Sequence, residues 1–335
     1  MARLHDVPVI DIGSLMNDER CLLDDVINRI GVACGEGGFF HIVNHGIDVS
    51  LIERVREAQR EFFALPRQVK RAVVRSKDNA RGYYDRELTK NTRDKKEVFD
   101  FGFKPAAELP DDHPANRTLD GYNQWPASMA EFKKTMEAYF DACQKLALTL
   151  TGAICLSLRL PCDRLHAYLV DSHTSFIRLN YYPRHDPLGN DPTAAIEPLG
   201  EMGVHHHSDA GILTLLLQDE IPGLEVCRAG EWFPADPVAG ALFVNLGDMM
   251  QVFSNDRYKA PLHRVSASKD QERYSVPFFY NPSYKTDCYP LEALVDEKDP
   301  PHYSKINWGQ FRKRRSDGDY ADYGQEVQIA DYRVA

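Results

Sequence analysis

No apolar run in the 335-residue sequence approaches the roughly 20 residues that a membrane-spanning helix requires, so no membrane partner is expected. Cysteine is sparse and scattered: Cys21, Cys34, Cys143, Cys155, Cys162, Cys227 and Cys288, with no CxxC pair among them. That pattern gives neither a disulfide framework nor a zinc ribbon and suits a reducing compartment. The opening "MARLHDVPVIDIGSL" lacks the basic-then-apolar layout of a secretory signal, and a cytoplasmic location is expected. Basic residues are outnumbered, 40 Lys and Arg against 50 Asp and Glu, for a net charge of −10. A nucleic-acid partner needs a basic face, and none is expected here. A small anionic ligand needs only one well-placed arginine and stays open. Internal repeats, low-complexity tracts and coiled-coil stripes are all missing, so a monomer is the expectation.

What is present is enough apolar material, 43% of residues, for a substantial core. "VPVI" (7–10) reads as a short edge strand. Leu22, Leu23, Val26, Ile27 and Ile30 follow helical spacing until "GEGG" (35–38) stops them, and "FFHIV" (39–43) is β-rich. Leu51, Val55, Ala58 and Phe62 mark a second helix that ends before Pro66. Residues 75–125 are polar and irregular and read as loops and short strands. From Met129 to Ile154 apolar residues recur every three or four positions, predicting a long core-facing helix. Then the texture changes to short β-prone runs at 175–183, 211–218, 223–227, 240–247 and 273–280, punctuated by Gly and Pro. Such a series predicts an antiparallel barrel or jelly roll, with the helical first half packed against it. The fold class is α+β with a mainly β core.

The stretch "GVHHHSDAGILTLLLQ" (203–218) carries the chemistry. If 203–209 is extended, alternation puts His205, His207 and Asp209 on one face and His206 on the other. Two ligands two residues apart can chelate one metal ion. A two-histidine, one-carboxylate site for non-haem Fe(II) needs a third ligand. His263 stands out, 54 positions after Asp209. Ten positions further, Arg273 and Ser275 share a strand face. A guanidinium fork and a hydroxyl together suit a carboxylate.

His207-x-Asp209, His263 and Arg273-x-Ser275 together resemble the iron- and 2-oxoglutarate-dependent dioxygenases, in their isopenicillin N synthase-like branch. "GFFHIVNHGI", "KKEVFDFGF", "LNYYP", "IPGLEV" and "NLGDMMQVFSN" look like landmarks of the same family, so the similarity runs nearly the whole length. The resemblance implies a double-stranded β-helix (jelly-roll) core with Fe(II) on His207, Asp209 and His263. It implies 2-oxoglutarate as cosubstrate held by Arg273 and Ser275, with Asn180 and Tyr182 at positions that help bind it. The implied reaction consumes O2, oxidises a small organic molecule and releases succinate and CO2. The implied division is 1–125 for an N-terminal non-haem dioxygenase-type region and 126–172 for the long helix and its connection. The jelly-roll core takes 173–285 and a C-terminal extension 286–335.

Arg273-x-Ser275 alone does not distinguish 2-oxoglutarate from a substrate's own carboxylate. An isopenicillin N synthase-like oxidase that uses no 2-oxoglutarate is therefore the nearest alternative, and a non-catalytic small-molecule receptor is the alternative from another class. Four residues are candidates for the substrate wall: Arg178, which shares parity with Asn180 and Tyr182, His205, Phe279 and Tyr83. Each has a plain structural reading too, as a salt bridge, an entrance histidine or a core aromatic. The run "FRKRR" (311–315) mixes with acidic neighbours and reads as a solvated helix end.

Overall fold

Gly and Pro divide the chain where the sequence pattern says they should. The computed structural model describes residues 7–17, 20–76, 79–89, 92–102, 121–169, 173–186, 188, 200, 202–268, 270–315 and 327–334. The first half contains β1 (Val9–Asp11), α1 (Gly13–Met16), α2 (Arg20–Glu36), β2 (Phe39–Val43), α3 (Val49–Ala64) and α4 (Arg67–Arg71). It continues with β3 (Gly82–Tyr84), β4 (Leu88–Thr89), β5 (Thr92–Arg93), β6 (Glu97–Gly102) and α5 (Ala130–Ser157). The second half contains β7 (Phe176–Tyr182), β8 (Met202–His207), β9 (Leu213–Gln218), β10 (Leu224–Arg228), β11 (Glu231–Pro234) and β12 (Leu242–Leu246). After these come α6 (Asp248–Phe253), β13 (His263–Ser266), β14 (Arg273–Tyr280), β15 (Asp287–Cys288), β16 (Ile306–Asn307) and α7 (Trp308–Arg315).

The helices begin and end for local reasons. The Asp48 side chain accepts the Ser50 N–H at 2.7 Å and caps α3. Leu65 is extended because it precedes Pro66, and α3 stops there. Gly38 ends the α2 segment with a positive φ of 75°, and its N–H and that of Gly37 both bond the Ala33 carbonyl. A Cβ at Gly38 would sit 2.3 Å from the Lys259 carbonyl oxygen, so only glycine fits.

Twelve strands form two sheets. The larger runs β1-β2-β12-β9-β14-β7-β6-β3 and the smaller β11-β10-β13-β8. Residues 75–125, expected as loops and short strands, contribute β3 and β6 to the larger sheet; 103–120 lie outside the described residues. Alternation along the strands separates two cores. Leu213, Leu215, Leu217, Val276, Phe278 and Tyr280 face the helix layer, where they join the buried faces of α2, α3 and α5. The opposite face of the same sheet meets the smaller one: Phe39, Tyr182 and Phe243 pack with Leu224, Val226 and Val265. Each such buried side chain contributes roughly 1.5–3 kcal/mol. Members of this second cluster are ladder partners of polar residues: Val226 pairs with His263, Phe39 with Asn245 and Tyr182 with Arg273. None of the described helices is long and apolar enough to cross a membrane.

Candidate metal centre and acid pocket

The pairing of β8 with β13 builds the centre. His207 is the last residue of β8, His263 the first of β13, and the ladder sets them opposite one another. Their rings lie 4.3 Å apart between centroids. Asp209 follows two residues after His207, at the start of the loop into β9. Its Oδ1 is 3.7 Å from His207 Nε2 and 3.6 Å from His263 Nε2. These are the residues among those described whose ligand atoms gather as a potential metal set, all within 4.8 Å of one another.

Neighbours fix how each group faces. His207 Nδ1 lies 2.8 Å from the His205 carbonyl and His263 Nδ1 3.3 Å from the Pro261 carbonyl. A carbonyl only accepts, so each Nδ1 carries the proton and each Nε2 keeps its lone pair for the shared centre. Burial and the adjacent His263 push the His207 pKa down to about 3, which keeps the imidazole neutral. Asp209 Oδ2 accepts Thr214 Oγ1 at 2.5 Å and Asn245 Nδ2 at 2.8 Å. Burial works against its charge, but the flanking imidazoles and these two bonds hold the carboxyl below its ordinary value. One oxygen is thus engaged by protein and the other faces the histidines. Two imidazoles and a carboxylate are the donor set of a non-haem Fe(II) site, and the residues fit that ion.

Arg273 and Ser275 lie on the inward face of β14, opposite Tyr182 and Asn180 of β7. Arg273 is 1% exposed. Its Nε donates to the Ile221 carbonyl at 3.2 Å and its Nη2 to Gln218 Oε1 at 2.9 Å, and the guanidinium lies over the Tyr182 ring. Its Nη1 is buried with no partner among the described residues. Asn180 Nδ2 donates to Ser275 Oγ at 3.3 Å, so the serine proton is directed elsewhere. A buried cation with an unused donor beside a hydroxyl is a seat for a carboxylate, and 2-oxoglutarate fits that demand. A Cβ on Gly203 would come within 2.7 Å of the Tyr182 ring, so the absence of a side chain there makes room for the tyrosine.

The four candidates for the substrate wall fare differently. Phe279 is half-buried on the same inward face as Arg273 and stacks on Phe176 at 4.6 Å. His205 lends its carbonyl to His207, and its own Nδ1 lies 3.4 Å from Asp94 Oδ1. Arg178, expected to be open to an anionic substrate group, is instead committed to protein. Its Nε and Nη2 donate to Asp100 at 2.8 Å each, and its Nη1 to Glu87 at 2.8 Å. Tyr83 is a correction. Its ring packs on Phe62 in the helix-side core and its hydroxyl donates to Glu97 Oε2 at 2.6 Å. Strand parity explains it, because Gly82 and Tyr84 take the other face. His206 points away as expected, edge-on to Trp232.

The surroundings of Arg178 are not visible in the sequence pattern. Glu87 also accepts Lys96 at 2.7 Å and Arg75 at 3.1 Å, and Lys96 reaches Asp94 at 3.0 Å. Burial disfavours the Glu87 charge, but Arg178, Lys96 and Arg75 hold its carboxyl far below the ordinary value. Among the described residues Arg75, Lys96 and Arg178 are matched in number by Glu87, Asp94 and Asp100. The members of this wall are spread over residues 75–178, and nothing in their spacing announces the cluster. Thr214 and Asn245 were also missed, although parity along β9 and β12 offered a signal for both.

Three side chains from two segments, with both imidazole tautomers set by carbonyls, match the donor set of a non-haem iron centre of the kind that leaves positions open for small molecules. Comparison with known proteins carries this further. Residues 7–128 match the family described as non-haem dioxygenase in morphine synthesis N-terminal, and residues 173–282 the 2OG-Fe(II) oxygenase superfamily. The chain is 33% identical over 313 residues to Protein DMR6-LIKE OXYGENASE 2 of Arabidopsis thaliana, covering 91% of this chain and 82% of that one. It is also 33% identical over 315 residues to the 2-oxoglutarate-Fe(II) type oxidoreductase hxnY of Emericella nidulans, covering 88% and 86%. Among solved structures, a full-length Neurospora crassa protein in complex with alpha-KG and thymine superposes with a TM-score of 0.79 at 25% identity, covering 95% of this chain and 98% of that chain. JOX2 in complex with 2OG, Fe and JA does so with a TM-score of 0.78 at 28% identity, covering 100% and 92%. The chain belongs to the 2OG-Fe(II) oxygenase superfamily, isopenicillin N synthase-like, and is an oxidoreductase that uses Fe(II) and 2-oxoglutarate.

Proposed function

We propose that His207, Asp209 and His263 hold the Fe(II), that Arg273 and Ser275 hold the far carboxylate of 2-oxoglutarate, and that Asn180 and Tyr182 shape the walls of that pocket. On this reading the two sheets are the halves of a double-stranded β-helix spanning 173–285, with the region to 125 packed around it. The observation that carries the assignment is the metal-type cluster on the smaller sheet together with the unsatisfied Arg273 Nη1 on the inward face of the larger one. When bound, iron and 2-oxoglutarate supply O2 activation coupled to oxidative decarboxylation, with succinate and CO2 as co-products.

The protein's own part is placement. The His205 and Pro261 carbonyls keep the imidazoles in the ligating tautomer. Thr214 and Asn245 fix which Asp209 oxygen faces the ion. The apolar side chains of Phe39, Leu224, Val226, Phe243 and Val265, packed with Tyr182, limit the access of bulk water to the acid pocket. The substrate is a small organic molecule seated between the Phe176–Phe279 stack and the charge-matched wall around Arg178, with His205 at the border. Thymine and JA in the solved relatives are molecules of that size class. Hydroxylation, desaturation and ring closure all begin by hydrogen removal, and positioning selects among them.

The test is Fe(II)-dependent conversion of 2-oxoglutarate to succinate by the whole chain, against His207→Ala. Turnover that survives the substitution removes the metal assignment. Turnover in the wild type that needs no 2-oxoglutarate removes the cosubstrate assignment.

A further inference from the structure

The last basic residue of "FRKRR" is not at a solvated helix end. Trp308, Phe311 and Arg315 share the buried face of α7, and Arg315 is 3% exposed. Its Nη1 bonds Asp248 Oδ2 and its Nη2 donates to the Ser208 carbonyl at 2.8 Å. Ser208 is the residue between His207 and Asp209. The same serine is held from its other side, since its hydroxyl bonds the Asp248 carboxylate. The Asp248 N–H in turn donates to the Asp209 carbonyl at 2.7 Å. Arg315 thus holds a peptide unit between the paired side chains of the metal centre, and Asp248 holds the Ser208 hydroxyl and the Asp209 carbonyl.

We propose that Arg315 is a positioning residue for the metal centre: its guanidinium, locked by Asp248, fixes the Ser208 carbonyl and with it the relative orientation of His207 and Asp209. The inference rests on the assignment of those two residues as ligands. A ligand pair spaced i, i+2 is oriented by the peptides between it. Here the carbonyl of the intervening residue leaves the β8 ladder and is held by a side chain from another element. A planar fork can hold a carboxylate and a carbonyl at once, whereas an ammonium is a point donor on a flexible stem. Such outer partners typically contribute 10–100-fold to metal affinity. α7 therefore acts on the site through one side chain although none of its residues touches the ion.

The experiment is calorimetric titration of the full chain with Mn(II), together with the visible d–d spectrum of the Co(II)-loaded protein. Wild type and His207→Ala come first: binding lost in the latter tests the ligand assignment alone. Arg315→Lys keeps a charge beside Asp248 and is expected to unfold within a few degrees of wild type, to bind Mn(II) about 10–100-fold more weakly and to shift the Co(II) bands. Arg315→Met with Asp248→Leu removes both buried charges together and is expected to bind as weakly as Arg315→Lys. If wild type binds and either variant folds with unchanged Mn(II) affinity and an unchanged Co(II) spectrum, Arg315 is merely structural and the inference is overturned.

Discussion

Replacing Arg273 with Met separates binding from stability, because the residue is at once the proposed acid anchor and a buried cation. Its guanidinium is 1% exposed and touches two carbonyl-type oxygens, Ile221 O and Gln218 Oε1, but no carboxylate among the described residues. A buried charge without a direct counter-ion is expensive. Methionine removes that expense and leaves Gln218 Oε1 without its donor, which costs about 1–3 kcal/mol. The two effects oppose, so folding stability should change by less than about 2 kcal/mol. Binding has no such compensation. A hydrogen bond to a charged group contributes about 1.5–3 kcal/mol, and the ionic attraction adds to it. A loss of about 3 kcal/mol raises the 2-oxoglutarate Kd roughly 150-fold, at about 1.4 kcal/mol per tenfold. The assay is urea unfolding of the Mn(II)-loaded protein with and without 2-oxoglutarate, supported by calorimetry. At a concentration of about 100 times the wild-type Kd, the ligand should stabilise wild type by about 2.7 kcal/mol. The same concentration should stabilise the variant by only about 0.3 kcal/mol. Equal stabilisation of both proteins, or a Kd within about threefold of wild type, would refute the reasoning.

Three other outcomes are expected. Asn245→Leu deprives Asp209 Oδ2 of one of its two donors, and calorimetry should show Mn(II) affinity falling about 10–100-fold while the fold persists. Arg178→Met takes both guanidinium bonds from the buried Asp100, leaving it Arg75 at 3.8 Å, while Glu87 keeps Lys96 and Arg75, so urea unfolding should register a loss of about 3 kcal/mol, with little change in 2-oxoglutarate affinity. His41 is 3% exposed, and burial lowers its pKa from 6.5 to about 4. As pH falls below 6.5 the unfolded chain takes up this proton first, so the stability His41 lends above that pH is lost down to about pH 4. His41→Leu should flatten that acid limb by up to about 3 kcal/mol in unfolding measured from pH 7 to 4.5.

The metal centre was legible because its three members lie in short, patterned segments. His207 and Asp209 obey strand parity, and His263 stands at the head of the strand that pairs with β8. Arg273, Ser275 and Phe279 were legible for the same reason, all on one face of β14. The long helices announced themselves through apolar spacing, and α5 runs from Ala130 to Ser157 where Met129 to Ile154 was read. Other features depend on tertiary pairing that no local pattern encodes. Arg178 has the right parity for the cavity, yet its partners are Asp100, set opposite it by the β6–β7 ladder, and Glu87, from the segment between β3 and β4. Tyr83 sits in a three-residue strand too short for its alternation to be read before its partner is known. Glu231–Pro234 and His263–Ser266 are strands of four residues, and their apolar signal is too brief to stand out from loop.

The charge-matched wall beside the iron centre also constrains how this sequence can drift. Arg75, Lys96 and Arg178 are matched against Glu87, Asp94 and Asp100, whose carboxylates are all buried, so little water is there to soften a mismatch. A lineage that exchanges one of these charges inherits a deficit that only a second, complementary exchange repairs. Evolution at these six positions should therefore proceed by concerted swaps, and a descendant with a new substrate would carry the record of its change as paired replacements here.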